Sequence, residues 1–361
     1  MSLRFLFAIW QGGGNVFPEL ALAKRLARRG HDVRVLGPPS LAAGRTDEEY
    51  SFVEGNAVPE RVRRRGLLVG EQLEEGTRYL CGPEWRGAVA AELERERPDV
   101  LVCDIQLAGA SAAASSLAVP TATICAVLFQ AWYHEWGAYA LGGESTDDVQ
   151  ARTALTLALT PAELDFDAGP VPENVLYVGP VSDPEPVPPF EESWPVGNDD
   201  PLVVVSFSTV YQRQEVALRL VVDALADLPV RALLLAGESL DGPAPERIQV
   251  RSWVPHPAVM PRASLCITHG GCGTTQSALA HGVPLLVMPH MYEQALNGHR
   301  VSELGAGKLV PADASAAEIR ANVVEVLAEP SFRAAAARTS HWFDDGSDRA
   351  LEALEALAGH A

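Results

Sequence analysis

Leu265-Cys266-Ile267-Thr268-His269-Gly270-Gly271-Cys272-Gly273-Thr274-Thr275 runs a short apolar strand into a glycine turn and then into the start of a helix. A brief apolar run closed by turn residues is the pattern of a buried parallel strand. Glycines that follow such a strand and open a helix aim backbone N–H groups and the positive end of the helix dipole at one point. Thr274 and Thr275 add hydroxyls, and His269 adds an imidazole able to donate to a phosphate oxygen. The stretch reads as a diphosphate cradle that needs neither a metal nor an arginine cluster. Gly-Gly turns before helices also occur as plain connections, so the reading depends on what surrounds this one.

The surroundings alternate. Strands are expected at 202–207, 231–236, 265–268 and 284–288, with helices at 214–225 and 275–281, which makes one α/β domain. The first half repeats the pattern: a strand at 4–10, the turn Gly12-Gly13-Gly14-Asn15, a helix at 18–30 and a strand at 32–36. Further strands at 100–103 and 121–127 flank an alanine-rich helix at 108–118, so this half too is expected to carry a parallel sheet. Between the halves, residues 179–200 are dense in proline and acid and lack periodicity, as in a stiff linker. Residues 331–361 read as helices, with Trp342 and Phe343 as expected packing anchors. The expected divisions are 1–182, a proline-rich linker at 183–200, 201–340, and a C-terminal helix at 341–361 that packs back on the first domain.

The 361 residues suffice for two ordinary domains, and 47% hydrophobic with 21% charged residues is the composition of a globular protein. No apolar stretch reaches membrane-spanning length. The amino terminus runs straight into a strand without the layout of a signal peptide. The five cysteines, Cys81, Cys103, Cys125, Cys266 and Cys272, are odd in number and form no CxxC pair, which fits free thiols in a reducing cytoplasm. A formal net charge of −19 argues against nucleic-acid or membrane-surface partners. It also means that an anionic ligand must be held by local amides, hydroxyls and placed imidazoles.

Trp253-Val254-Pro255-His256, the cradle itself, and then Pro289, Glu293-Gln294 and Asn297 together resemble family 1 of the glycosyltransferases. The resemblance is densest over 253–301 and implies the GT-B fold, two Rossmann-like domains facing across a cleft, with an acceptor-binding domain first and a nucleotide-sugar-binding domain second. It implies an inverting transfer from a UDP- or dTDP-sugar to a hydrophobic or aromatic small molecule, as in natural-product and antibiotic biosynthesis. Trp253 would stack on the nucleobase. His269, Gly270, Gly271, Gly273, Thr274 and Thr275 would hold the diphosphate, with Ser208 and Thr209 nearby. Glu293 and Gln294 would meet sugar hydroxyls, since carboxylate and amide together offer acceptors and donors to a polyol; a solvated loop is the plainer reading of that pair. The nucleotide sugar is then a co-substrate, and no cofactor or metal is expected. The partners are the aglycone and the nucleotide sugar, a homodimer being the assembly allowed for.

Two positions depart from the family pattern. Its ribose-binding glutamate is replaced by Ser277, which leaves uridine and thymidine undistinguished. Its catalytic histidine falls on Asn15, and an amide takes no proton at neutral pH. Asp104, matching the aspartate that orients that histidine, is expected to act as the base itself or to hold Asn15. His134 is a second candidate, and an acceptor acidic enough to need positioning alone is a third. Gly13 and Gly14 are expected beside the acceptor, with Phe129, Trp132 and Trp136 as an apolar wall; an ordinary core stripe is the competing reading of those aromatics.

Three other functions compete. A Rossmann oxidoreductase is excluded because Phe17 stands where a third glycine belongs and the second strand ends in Gly37-Pro38-Pro39, without an acid for an adenosine ribose. A sugar-nucleotide epimerase would have no use for an apolar first domain. A non-catalytic sugar-nucleotide-binding or auxiliary protein stays open on account of Asn15.

Overall fold

The computed structural model describes residues 2–43, 45, 49–53, 58, 60, 69–183, 185–191, 194, 199–208, 214–235 and 245–360. The chain divides into two compact units, Met1–Pro184 with Asp344–Ala361, and Glu185–Phe343. Trp194, from the proline-rich stretch, packs within the second unit: Arg231 lies over its ring at 5.5 Å, and its indole N–H donates to the Arg247 carbonyl.

Among the described residues the first unit has seven parallel strands: β1 (Arg4–Ala8), β2 (Asp32–Leu36), β3 (Ser51–Phe52), β4 (Val100–Asp104), β5 (Thr121–Cys125), β6 (Leu155–Ala158) and β7 (Val175–Tyr177). Their order is β3-β2-β1-β4-β5-β6-β7. β4 and β5 are buried along their whole length, as the apolar and threonine-rich sequences Val-Leu-Val-Cys-Asp and Thr-Ala-Thr-Ile-Cys require of strands covered on both faces. Helix Val16–Arg28 and the C-terminal helix Ser347–Gly359 cover one face, where Leu22, Leu26, Leu351 and Leu354 meet Phe5, Phe7 and Val102. On the other face Trp85, Leu93 and Ala113 meet Leu6, Leu101 and Cys103.

The C-terminal helix is fastened by the backbone as well as by apolar contact. The Gly346 N–H donates to the Pro180 carbonyl at 2.8 Å, and a side chain at 346 would overlap the Val178 carbonyl. Arg29 reaches Asp348 and Glu355 at 2.7 and 3.0 Å. The residues that anchor this segment are therefore leucines. Trp342 and Phe343, expected in that role, are only partly buried, in and just after a short 3-10 turn before the chain re-enters the first unit.

Among the described residues the second unit has six parallel strands: β8 (Leu202–Ser206), β9 (Arg231–Leu235), β10 (Ile248–Arg251), β11 (Leu265–Thr268), β12 (Leu285–Val287) and β13 (Gly307–Leu309), in the order β10-β9-β8-β11-β12-β13. β8 and β11 are fully buried, and helices Glu215–Leu225 and Ala316–Ala328 pack over the sheet through Leu218, Val222, Ile319 and Val323. No helix among the described residues is long and apolar enough to cross a membrane.

Each sheet has one place where the strand order reverses, between β1 and β4 in the first and between β8 and β11 in the second. In doubly wound sheets the loops leaving the carboxyl ends of strands at this reversal splay apart and leave a crevice. Both glycine turns noted in the sequence stand at these positions.

Candidate active site

At the second reversal, Thr268 pairs with Ser206 on one side and Val287 on the other, so the loops after β8, β11 and β12 start at one level. The β11 loop is His269-Gly270-Gly271, and its helix runs Cys272–Ala280, starting three residues earlier than the sequence pattern suggested. Gly270 has φ +89°, where a side chain is strained, and a Cβ there would come within 2.7 Å of the Gln294 carbonyl and 2.8 Å of Val287. The loop is also tied from two sides. The Gly270 N–H donates to Thr268 Oγ1 at 3.2 Å, and Asn297 Nδ2 donates to the Gly270 carbonyl at 2.7 Å.

Gly271 is the N-cap and offers no side-chain acceptor, and the first helical bond of the turn is Thr275 N–H to Gly271 at 3.0 Å. The N–H groups before Thr275 are those an α-helix leaves without an internal partner. A Cβ at Gly271 would press on His269 Nε2 at 2.5 Å, so this glycine makes room for the imidazole. A Cβ at Gly273 would meet nothing within 4 Å, so the space beside it is open. His269 Nδ1 and Thr275 Oγ1 are buried without a hydrogen-bond partner among the described residues. Unpaired buried polar atoms at a helix amino terminus are what a site built for a ligand leaves behind.

Burial lowers the His269 imidazole to about 4, against a weaker opposing pull from the Ser206 backbone. His256, half-buried and hydrogen-bonded to Ser206 Oγ at 3.0 Å, is likewise lowered to about 4, first by burial and then by His281. His290 is lowered too, mainly by burial. The His269 and His290 rings both lie against Phe207, with ring centroids 6.2 and 5.8 Å from it. The cradle is therefore lined by neutral imidazoles. His256 and His290 were not singled out in the sequence, although the first sits in the Trp-Val-Pro-His motif and the second directly follows Pro289.

Of the other donor-side residues, Trp253 presents 56% of its surface to solvent at the end of β10, leaving its indole face available. Ser208 is clamped, its N–H donating to Gln214 Oε1 at 3.0 Å and its carbonyl accepting from Gln214 Nε2 at 2.6 Å. Thr209 lies outside the described residues. Glu293 is half-buried, with burial raising its carboxyl. Gln294 is buried and caps helix Tyr292–Glu303: its Oε1 accepts from the His290 and Met291 N–H groups at 2.9 and 3.1 Å. That oxygen is thus committed to the backbone.

At the first reversal, β1 leads into Gly12–Asn15. Gly13 has φ +97°, and Gly14 is exposed with open space at its Cβ position. Asn15 caps helix Val16–Arg28, and its Nδ2 donates to Asp104 Oδ2 at 2.7 Å. Asp104, 3% exposed at the end of β4, accepts a second bond from the Gln106 N–H at Oδ1, 2.8 Å. Burial raises this carboxyl, while the Gln106 N–H, the Asn15 amide and the nearby Trp10 indole pull it back down. The Asn15 Oδ1 is buried and unpartnered beside Gly12, where any side chain would overlap the amide. Phe17, not singled out in the sequence, is 52% exposed beside this turn.

The aromatic segment is a correction. Phe129 and Trp132 are fully buried in a core cluster with Ile105, Cys125, Leu141 and Val149, so neither forms an acceptor wall and the core-stripe reading holds for both. Trp136 is half-buried in the π-helical turn Trp132–Trp136. His134 is exposed, with Nε2 at 3.3 Å from the Pro170 carbonyl, and it shares no hydrogen bond with Asn15 or Asp104. Among the described residues no group of three or more His, Cys, Asp or Glu is arranged to hold a metal ion.

The chain as a whole is similar to known glycosyltransferases. Residues 220–342 match the family model "Erythromycin biosynthesis protein CIII-like, C-terminal domain". Demethyllactenocin mycarosyltransferase of Streptomyces fradiae is 28% identical over 91% of this chain and 80% of its own length. Among solved structures, the glycosyltransferase of kitacinnamycin superposes with a TM-score of 0.80 at 23% identity, covering 99% of this chain and all of that one. The glycosyltransferase VinC in complex with dTDP gives 0.73 at 18% identity, covering 99% and 100%. With a glycine-lined helix terminus at one sheet reversal and an amide–carboxylate pair at the other, the chain is a nucleotide-sugar-dependent glycosyltransferase of the GT-B fold, similar to the natural-product enzymes of family 1.

Proposed function

We propose that this enzyme moves a sugar from a thymidine or uridine diphosphate sugar to a small hydrophobic acceptor that reaches the site as an anion, with inversion at the anomeric carbon. The open amino end of helix Cys272–Ala280, with His269 beside it, carries the donor half of this reading. A thymidine diphosphate donor is supported by the dTDP held in a structural neighbour. The acceptor atom bonds to the anomeric carbon as the bond from that carbon to the phosphate oxygen breaks, and the nucleoside diphosphate leaves with the electron pair. Its growing charge meets the free N–H groups of the helix terminus and the His269 ring, preorganised donors that act where the charge develops. Glu293 fits a sugar hydroxyl, whereas Gln294 retains only its amide N–H for that purpose.

The acceptor half rests on the Asn15–Asp104 pair. An amide takes no proton, and both Asp104 oxygens already accept hydrogen bonds in a buried position. Asp104 fixes which way the amide points and leaves its second N–H to donate. A donor at this position suits a nucleophile that has already lost its proton to solvent, such as a phenolate, an enolate or a deprotonated imide-like nitrogen. The five free thiols support a reducing, cytoplasmic setting.

Mass spectrometry of the purified protein with dTDP- and UDP-sugars and a panel of acidic phenols tests this reading. The expected product is the acceptor plus one glycosyl unit, with one nucleoside diphosphate released. No adduct and no released nucleoside diphosphate across the panel would contradict it.

A further inference from the structure

One buried acid has no place in the reaction as described. Glu19 lies one turn along the helix that Asn15 caps and is 1% exposed. Both of its carboxyl oxygens are buried without a hydrogen-bond partner among the described residues. An isolated carboxylate in such a place costs many kcal/mol and takes up a proton instead. Two causes hold the Glu19 carboxyl well above its usual range: burial first, then the negative charge of Asp104.

Among the described residues no cation is hydrogen-bonded to either carboxyl, and Arg152, whose charge reaches the adjoining Cys103, is itself bound to Glu144. Arg25, Arg28 and Arg29, on the same helix, engage Asp345, Glu49, Asp348 and Glu355 at the exposed surface. His31 is bound to Glu355, and Arg34, on the neighbouring β2, is bound to Glu92. On β4 the adjoining Cys103 is itself held protonated by burial and by Asp104 and Glu19. The partners divide the two carboxyls clearly: Asp104 has two donors, the Asn15 amide and the Gln106 N–H, and Glu19 none among the described residues.

We propose that Glu19 is a positioning residue for the transfer step, sharing a single proton with Asp104 and carrying it, so that one negative charge, on Asp104, stands behind Asn15. This rests on the anionic-acceptor reading above. A second carboxylate at this depth would repel the acceptor anion and loosen the Asp104–Asn15 bond that aims the amide. The proton on Glu19 therefore sets an upper pH limit for the reaction, separate from ionisation of the acceptor.

Two measurements test this. Infrared spectroscopy at neutral pH, wild type against Glu19→Gln, reads the C=O stretch of a protonated carboxylic acid whether or not any sugar is transferred. The band is expected in the wild type and absent in the variant; its absence from the wild type would overturn the proposal. Should Glu19→Gln fail to fold, Asp104→Asn serves: removing the neighbouring charge makes the band vanish at a lower pH than in the wild type, and an unchanged pH would overturn the pairing. The second measurement is kcat against pH with a phenol ionised throughout the range. The wild type is expected to fall at alkaline pH, and Glu19→Gln to move that fall up by more than one unit with the donor KM unchanged. A protonated Glu19 with superimposable kcat profiles would mean that the residue only fills the core. Absence of transfer from every donor tried would instead overturn the functional reading and leave the infrared result standing.

Discussion

The two sheet reversals occupy the same topological place and have been finished in opposite ways. The second is open: Gly273 faces empty space, the helix terminus lacks a side-chain cap, and the polar atoms around it are unpaired or neutral. The first is closed upon itself: Asn15 is tied to Asp104, Asp104 to the Gln106 backbone, and Glu19 is sealed beneath. On the reading proposed above, one receives the two phosphates of the donor in a chain of net charge −19, and the other holds its own charge. On that reading the same fold position yields an anion receptor or an orienting clamp, depending on whether glycine or a carboxyl-bound amide follows the strand.

Placing a third acid at the closed reversal should do the most damage. Asn15→Asp sets a carboxylate against Asp104 and removes the N–H offered to the acceptor; loss of one preorganised donor alone costs on the order of 10²–10³ in rate. Steady-state kinetics at saturating donor checks this, and a loss under tenfold would break the contrast between the two sites. At the open reversal, His269→Ala should weaken nucleoside diphosphates strongly and the free nucleoside little. Trp253→Ala should weaken both, by roughly 1–3 kcal/mol if the exposed indole stacks on the base. Calorimetry with the two ligand types separates these effects, and equal losses for the nucleoside in both variants would show the cradle to be misplaced.

The two sites should also respond oppositely to pH. His256 and His269 sit at about 4 in the folded protein and near 6.5 when unfolded. Between those values only the unfolded chain takes the proton, so their contribution is complete above about 6.5 and falls as pH drops, by about 1.4 kcal/mol per unit for each imidazole. Glu19 and Asp104 are raised by burial, so their contribution is present below the ordinary carboxylate range and is lost as pH rises through the folded values. Hydrogen exchange normalised to intrinsic rates, followed in β8 and β11 against β1 and β4, should show the second unit losing protection first as pH falls from 7 to 5. Parallel loss in both units would contradict this.

Smaller effects sharpen the same contrast. Gly270→Ala should cost about 1–3 kcal/mol of stability, since it strains a left-handed φ and presses on the Gln294 carbonyl; a denaturant titration reads this. A chelator should leave nucleoside diphosphate affinity within about tenfold, near 1.4 kcal/mol, because amides and imidazoles supply the cradle.

How much of this is legible in the sequence differs between the sites for a physical reason. The cradle is local: strand, glycines and helix follow one another, so residues 265–275 announce both the reversal and its donors. The Asn15–Asp104 bond joins residues 89 apart and follows from the sequence only through the resemblance that aligns them. Glu19 reads as a helix first-turn acid, which normally faces water. Yet its spacing from Val16, Ala23 and Leu26 puts it on the buried stripe, so the signal was present and the residue type concealed it. Phe129 and Trp132 show the reverse error. Their crowding suggested a binding wall, whereas large aromatics more often fill a core, as these do. The capping role of Gln294 was hidden because a Glu-Gln pair reads equally well as a sugar contact and as a helix start.

The most direct test of the central claim, that the closed reversal aims an amide at an acceptor already ionised, is kcat/KM for a series of phenols and one plain alcohol at saturating donor, in the wild type and in Asn15→His. In the wild type, rates should follow the ionised fraction of each phenol and the alcohol should give no product. Asn15→His, with Asp104 behind the new ring, should gain activity on the alcohol. Efficient transfer to the plain alcohol by the wild type would contradict the account, because it would require a base that neither Asn15 nor the buried Asp104 provides.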